Sequence, residues 1–572
     1  MNSKKRILFV LVFLISVSFA ASSFSQSPPS SQTAGGISRQ QMELEKKKKL
    51  QERITKPRVK PKEAVPEEII PKEAGPKILI EKIKVEGATL ISEEDIKKIT
   101  SQFEGKELSL SDMQKAADLI TDEYRKKGYI TCRAYIPPQT IKDAVLIIRI
   151  IEGKLGKLRI EGNRYFKTSL LKKKICLKPG EPFDYSKLQK SLTYINEHPD
   201  RTAKAVLIPG KEPGTTDIVL QVQDNFPFHI GFEYDNFGSR YIEKDRYALT
   251  LEHNNLLGFD DKLYLKYQRA QDGLYELRNL RYSVPLSPDL EAGFYYLWSK
   301  SKLGKEYKDL DIRGKSQLGG LFLTRSLIKE DNIDLELNLG FDYKHIRNYT
   351  SEVLTSRDEL RIFKTGFDLD TLDKWGRTIL TAELDLGIPE IFGGVQAKDP
   401  MATREGAGGK FLKFAGNLYR LQPMPFSSSI LWKNQFQFSN YTLPSCEQFQ
   451  IGGIANVRGY PSAEYSGDKG YAASIEWSFP LYFLPGQIKV PLSKSSFYDA
   501  TRIVFFYDWG YTQLNKELAG EQKCRTLKGW GFGLRFNLPE DLSARIECAY
   551  PIGQTPSDGN HLHTYVSVSK KF

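Results

Sequence analysis

Beyond Phe226 the chain alternates apolar and polar residues with a period of two, segment after segment: "FHIGFEYDNFG", "YALTLEHNNLLG", "DKLYLKYQRA", "AASIEWSFPLYF", "RIVFFYDWGYTQL" and "HTYVSVSKKF" among them. In "NIDLELNLGFDYKHI", Ile333, Leu335, Leu337, Leu339, Phe341 and Tyr343 share one face, while Asp334, Glu336, Asn338, Gly340 and Asp342 share the other. Half-buried strands read this way, and soluble sandwiches alternate too. About 345 residues of short strands with polar turns exceed one sandwich, however, and the apolar faces are rich in Tyr, Phe and Trp. An outward apolar band with aromatic girdles and a polar interior describes a membrane barrel, and at about 20 residues per strand and connection the region 226–572 holds roughly 16 antiparallel strands. The chain ends on Phe572, with Lys570 on the same face as a departure from an apolar ending.

From Ile78 to about Asn225 the period changes. "KILIEKIKVEG" alternates as a strand, and "SEEDIKKITSQF" reads as a helix capped by Ser92. "SLSDMQKAADLITDEYRKKGY" is a second helix, with Leu110, Met113, Ala117, Ile120 and Tyr124 as its apolar stripe and Gly128 after its end. "ITCRAYIPPQ" and "AVLIIRIIEG" follow as strands. The pattern then recurs from "GKLRIEGNRYF" through two helices ("KTSLLKKKICL", "DYSKLQKSLTYINE") to the strands "RTAKAVLIPG" and "TDIVLQVQD". Residues 78–153 and 154–225 are thus two copies of one α+β unit, β-α-α-β-β, ahead of an all-β domain.

The amino-terminal part is different again. Lys4, Lys5 and Arg6, the apolar run Ile7–Phe19 and the small residues Ser18 and Ala20 form the three-part pattern of a secretory signal peptide, placed at 1–25. Ser22–Gly36, rich in Ser, Pro and Gly, reads as disordered. Residues 37–54 read as a helix with Ser38 as N-cap, polar around nearly its whole circumference. Such a helix has no stripe with which to seat itself on an apolar core; it requires solvent or a polar cavity. Five prolines then stiffen residues 55–77 into an extended linker.

Composition narrows the chemistry. The net charge of +13 is not accompanied by an aromatic-interleaved basic motif, so a nucleic-acid partner is not expected. Five scattered cysteines and six histidines show no metal-ligand spacing, and "HLH" at 561–563 lacks a third ligand nearby. No phosphate-binding loop or nucleophile elbow is found. No catalytic residue, cofactor or metal is expected, and the chain does not read as an enzyme.

One segment does not fit a plain strand or turn: "GGIANVRGYPSAEYSGDKGY" (452–471) sets an arginine among glycines deep in the strand-rich region. Together with "FFYDWG" (505–510), "YRKKGYITCRAYIPPQ" (124–139), "IIEGKLGKLRIEGN" (150–163) and "INEHPDRTAKAVLIPGKEPGTTDIVLQVQD" (195–224), it resembles the TpsB transporters of two-partner secretion, of the ShlB/FhaC/HecB kind, over about 500 residues. The resemblance implies that the repeats are periplasmic POTRA domains and that the barrel lies in the outer membrane. It implies that 37–54 is a plug helix, and that Val457, Arg458, Gly459 and Tyr460 form an inward loop motif whose arginine meets the wall motif Phe506, Asp508 and Gly510. Alternation agrees on one point: Val504, Phe506, Asp508 and Gly510 share the lumen face, opposite Phe505, Tyr507, Trp509 and Tyr511.

The implied activity is type V secretion of an unfolded partner exoprotein, haemolysin- or adhesin-like, through the pore of a monomer. Outer-membrane lipid, and periplasmic chaperones with the barrel-assembly machinery during biogenesis, are the other implied partners. A barrel-assembly insertase of the same superfamily shares the plan but usually carries more POTRA domains and lacks a plug helix. A passive porin or uptake channel would not need two periplasmic modules.

Overall fold

The computed structural model describes residues 29–55, 77–482, 486–491, 493, 495–539 and 541–572. The segment read as a signal peptide and nearly all of the proline-rich linker lie outside the described residues. Sixteen antiparallel strands, from Phe228–Asp235 to His563–Lys571, form a closed barrel. The last strand closes on the first, Ser567 opposite Asp235 through Lys571 opposite Gly231. Alternation sets the two faces. Phe232, Tyr247, Tyr343, Trp432, Trp477, Phe505 and Trp530 point outward and are exposed, whereas Asp342, Lys344, Gln435, Glu476, Asp508 and Glu547 point inward and are buried. Lys570 stands opposite Phe232 on the outer face, its ammonium over the Phe572 ring. There an apolar stem can lie along the rim while the charge reaches water.

The two α+β units repeat one topology. In the first, the strand Val145–Ile151 is central, parallel to Lys82–Glu86 and antiparallel to Arg133–Tyr135. In the second, Thr215–Asp224 takes that place between Lys154–Glu161 and Arg201–Pro209. "KILIEKIKVEG" is two strands rather than one, because Ile78–Ile80 turns aside to pair with Lys106–Leu108 between the helices. Ser92 caps its helix through the Asp95 N–H, as expected. Ser109 and Asp112 make a capping box on the next helix, Leu110–Lys126. That box places Leu110 at the exposed first turn, so it leaves the expected stripe, while Met113, Ala117, Ile120 and Tyr124 fill the core with Ile83 and Leu146.

The polar helix runs Ala34–Thr55 and lies inside the barrel. Two expectations change there. Ser38 is not an N-cap; it sits within the helix, fully buried, its hydroxyl 3.0 Å from that of Ser299 on the wall. Residues 29–36 are not disordered: a turn of 3-10 helix at Ser30–Gln32 leads into the helix, and Ser239 donates to the Gln32 amide oxygen at 2.6 Å. Polar partners on the barrel wall and on its loops order a segment whose composition taken alone gives it no core.

Candidate functional site

The loop 440–468 leaves the strand Ser428–Ser439, folds back into the lumen and returns to Lys469–Pro480. A short hairpin, Phe449–Ile451 with Tyr465–Gly467, stiffens it. Arg458 at its tip is 3 % exposed. Its guanidinium grips Asp508 with both arms of the fork, Nε to Oδ2 at 2.7 Å and Nη2 to Oδ1 at 2.8 Å, and its backbone N–H donates to the same carboxylate at 3.1 Å. Nη1 reaches Glu476 and Glu547, each at 2.9 Å, and the guanidinium carbon lies 3.4 Å from the centre of the Phe506 ring. Arg535 bridges Glu476 and Glu547 from the wall, and Lys433 pairs with Glu476 at 2.6 Å. Buried charges that are fully paired fix an orientation more than they add net stability, and the bidentate fork makes that orientation specific.

The glycines of the wall make room for the loop. A Cβ on Gly529 would stand 2.0 Å from the Arg458 carbonyl oxygen, and one on Gly510 would stand 2.6 Å from Val457 Cγ2. Gly459 has φ +93° and its backbone lies against that of Tyr550, a conformation and an approach that a side chain would oppose. Tyr565 accepts from the Gly459 N–H at 3.3 Å and donates to the Tyr460 carbonyl at 3.1 Å. Val457 and Tyr460 pack with Phe449, Ile451 and Leu527. The structure therefore brings together all seven residues of the two motifs, 457–460 with 506, 508 and 510.

Motif reading missed the rest of the site. Glu476, Arg535 and Glu547 complete the acid-base cluster, and alternation within "AASIEWSFP" already put Glu476 on the lumen face, opposite Trp477. Glu447, near the loop's start, is a second anchor: it takes Lys344 and Lys413 from the wall, and Lys413 also pairs with Asp385 at 2.8 Å. No pattern in the linear sequence announces that contact.

The lumen helix is tied to both wall and loop by polar groups. Arg53 pairs with Asp370 at 3.0 Å, Arg246 donates to Gln41 at 2.9 Å, and the Ala34 N–H donates to Asn348 at 2.8 Å. On the loop side Lys47 donates to the Ala455 carbonyl, Gln450 donates to the Gly36 carbonyl at 3.0 Å, and Ser30 donates to Gln448 at 3.0 Å. Its apolar anchors are few, chiefly Ile37, Leu50 and Ile54.

The second α+β unit is joined to the rim by a buried ion cluster. Arg201 meets Asp260 of the turn 254–261 bidentately, both contacts 2.6 Å, and Lys174 meets it at 2.6 Å. Burial raises the Asp260 carboxyl, but the two cations outweigh it and hold it below the usual carboxylate range. Burial draws the Lys174 ammonium below its ordinary range against the pull of Asp260. Asn254 adds a hydrogen bond to Asp200 at 2.8 Å, and His229 another at 2.7 Å.

This geometry has counterparts among known proteins. The chain matches the family "Haemolysin secretion/activation protein ShlB/FhaC/HecB" over residues 214–536, the ShlB-type POTRA domain over 78–153, and the POTRA family described as "Surface antigen variable number repeat" over 154–222. The chain belongs to the ShlB/FhaC/HecB family. It is an outer-membrane transporter of two-partner secretion, its POTRA units on the periplasmic side. Among its relatives, the heme/hemopexin transporter protein HuxB of Haemophilus influenzae (strain 86-028NP) is 24 % identical, with 84 % of each chain covered. The outer membrane transporter CdiB of Escherichia coli O6:K15:H31 (strain 536 / UPEC) is 24 % identical over 86 % of this chain and 82 % of its own. The fold is that of CdiB from Escherichia coli, with TM-score 0.72 at 22 % identity, covering 96 % of this chain and all of that one. BamA from Haemophilus ducreyi lacking POTRA domains 1–3 shares the fold more distantly, with TM-score 0.54 at 15 % identity, covering 86 % of this chain and all of that one. Members of the family are transporters, not enzymes.

Two substitutions probe the seats. Gly529→Ala drives a methyl into the Arg458 carbonyl and is expected to cost the docked loop about 1–3 kcal/mol. Hydrogen exchange across 449–467 should rise while the barrel keeps its folded gel mobility. Asp260→Asn leaves Arg201 and Lys174 buried without their counter-charge, at about 3–5 kcal/mol. Faster exchange in the turn 254–261 and in the second POTRA unit is the readout. In the unsubstituted protein the Asp260 carboxyl is depressed, so its contribution is complete above the ordinary carboxylate pKa of about 3.9 and is lost as the pH falls through the lower folded value. The junction should therefore outlast mild acid.

Proposed function

We propose that the chain secretes one partner exoprotein, haemolysin- or adhesin-like, in an unfolded state, and that the helix Ala34–Thr55 is a plug that leaves the lumen for passage. The observation that carries this reading is the helix's seat. It is held by hydrogen bonds and ion pairs that water can replace, with few apolar residues buried against the wall. Opening therefore exchanges one set of polar partners for another, instead of exposing an apolar core.

The relatives' names support the class of client: HuxB is named for heme/hemopexin, and ShlB of Serratia marcescens, 23 % identical over 68 % of this chain and 70 % of its own, is a hemolysin transporter protein. Capture falls to the POTRA sheets. Among the described residues, their outer strands Arg133–Tyr135 and Arg201–Pro209 each pair on one side only within their sheets, so an extended client segment can add as a further strand. The docked Arg458 loop then orients the wall along which the client moves. Folding of the client outside makes movement one-way, since no nucleotide is at hand beyond the inner membrane.

The test compares cells with and without the chain, each expressing an exoprotein encoded beside it. The exoprotein should reach the medium only when the chain is present, with the general outer-membrane protein pattern unchanged. Depletion of outer-membrane proteins at large on removal of the chain, with no exoprotein exported in its presence, would make it an insertase instead.

A further inference from the structure

The junction between the second POTRA unit and the barrel carries exposed aromatic and aliphatic side chains beside basic ones. Phe228 opens the first barrel strand on its outer face, in line with Phe232 and opposite His253 on the neighbouring strand. Phe226, two residues earlier, continues that face below the rim, its ring 6.4 Å from Phe228 and 56 % exposed. Tyr165, which belongs to the POTRA unit, stands edge-on to Phe226 at 5.5 Å. It is not a stray side chain on a loose loop: the N–H groups of Arg164, Tyr165 and Phe166 all donate to the Asp224 carboxylate, at 2.8–3.1 Å. In the adjoining turn, Leu257 and Phe259 are each 61 % exposed, although Asp261 accepts from both of their N–H groups and Asp260 lies buried under Arg201. A rigid backbone thus presents apolar side chains outward. Arg164 and Lys167 are exposed on the same turn as Tyr165, and the Lys167 ammonium lies beside Gly258 between Leu257 and Phe259.

We propose that this surface is a membrane seat for the POTRA unit: Tyr165, Phe226, Leu257 and Phe259 sit in the headgroup layer of the periplasmic leaflet, and Arg164 and Lys167 meet its phosphates. The occupant follows from continuity. The patch continues the barrel's lipid-facing side, from Phe232 and Phe228 on the first strand through Phe226, whose ring neighbours Phe228, to Tyr165. An aromatic ring with a polar edge, as Tyr165 has, gathers at that depth of a bilayer. The wholly apolar Phe226, Leu257 and Phe259 reach the boundary between headgroups and acyl chains, and cations just beyond it are drawn to anionic headgroups. The second POTRA unit is thereby fixed twice, to the rim by the Asp260 cluster and to the leaflet by Tyr165.

The test uses the full chain in vesicles of phosphatidylethanolamine and phosphatidylglycerol, with and without phospholipid brominated near the headgroup end of its acyl chains. Tyr165→Trp adds an indole at the seat. Val206→Trp places one on the same unit's edge strand, five residues from Arg201 and hence roughly 16 Å further from the rim. After subtraction of the unsubstituted protein's emission, the brominated lipid should quench the indole at 165 about twofold and leave that at 206 unchanged. Replacing Arg164 and Lys167 by Gln should weaken the quenching in vesicles containing phosphatidylglycerol. Phe259→Trp serves as the reporter if Tyr165→Trp does not fold. Equal, negligible quenching at the seat and at 206 overturns the proposal, as does an indole at 165 that ignores lipid and responds to the client's amino-terminal region instead.

Discussion

Arg458→Ala should lower secretion of the partner at least tenfold, with the barrel still folded and present in the outer membrane at the wild-type level. The guanidinium is the only cation the loop brings into contact with the Asp508, Glu476 and Glu547 carboxylates among the described residues; Arg535 and Lys433 belong to the wall. Without it Asp508 has no ion-pair partner among the described residues and Glu476 and Glu547 each lose one, a deficit worth about 3–5 kcal/mol. What remains to hold the tip is the packing of Val457 and Tyr460 and a few hydrogen bonds such as Tyr565 to Tyr460, each worth about 1 kcal/mol. The deficit is therefore large enough to undock the loop, and at about 1.4 kcal/mol per decade it amounts to two decades or more in population.

Because the strands that carry the cluster pair continuously on both sides of it, the barrel itself should survive the change. Arg458→Lys keeps the charge but loses the fork and should fall between wild type and Ala. Asp508→Asn should resemble Arg458→Ala, and the double variant should be little worse than either single one, because the two side chains act as a unit. Secretion measured beside hydrogen exchange in 449–467 separates the roles. Unchanged secretion with the loop undocked would leave Arg458 a structural residue only.

How much of this was legible depended on whether a feature is periodic or pairwise. The barrel was readable because each strand repeats one rule, apolar out and polar in. The lumen position of Asp508 follows from the same rule applied to "FFYDWG". The POTRA pair was readable because it occurs twice. The helix 34–55 shows its need for a polar cavity through its lack of an apolar stripe, whereas its start at Ala34, three residues before the expected Ile37, has no signal in the sequence. The residues that order 29–36 are Ser239, Asn348, Ser445 and Gln448, hundreds of positions away. For the same reason Glu447 and Glu547 were out of reach: the pairs with Lys413 and Arg458 are set by the barrel's closure, not by sequence spacing. Leu110 failed for a local reason, since a capping box outranked the hydrophobic stripe at the helix's first turn.

The second large effect concerns the plug. Gly35, in the helix's first turn, lies against the loop so closely that a Cβ placed on it would be 2.8 Å from Cβ of the native, buried Cys446. A disulfide needs roughly 3.5–4.5 Å between those atoms, so Gly35→Cys requires the helix end to retreat by somewhat under an ångström before it can couple to Cys446. A roomier pair is Thr33→Cys with Ser445→Cys, replacing hydroxyls now 2.7 Å apart. Under oxidation either link joins the helix to the loop that Arg458 and Glu447 hold to the wall. Secretion should then fall to the fraction of molecules left uncoupled, and a reductant should restore it. The other cysteines provide the control: Cys176 and Cys524 are exposed and could join two chains, a product that a non-reducing gel separates from the internal link. Gly35→Ser, bulky but unable to couple, measures the effect of crowding alone. A coupled barrel that secretes at the rate of its reduced form would mean that the helix stays in the lumen during transport and that the client passes beside it. The polar seat would then be the wall of the path rather than its stopper.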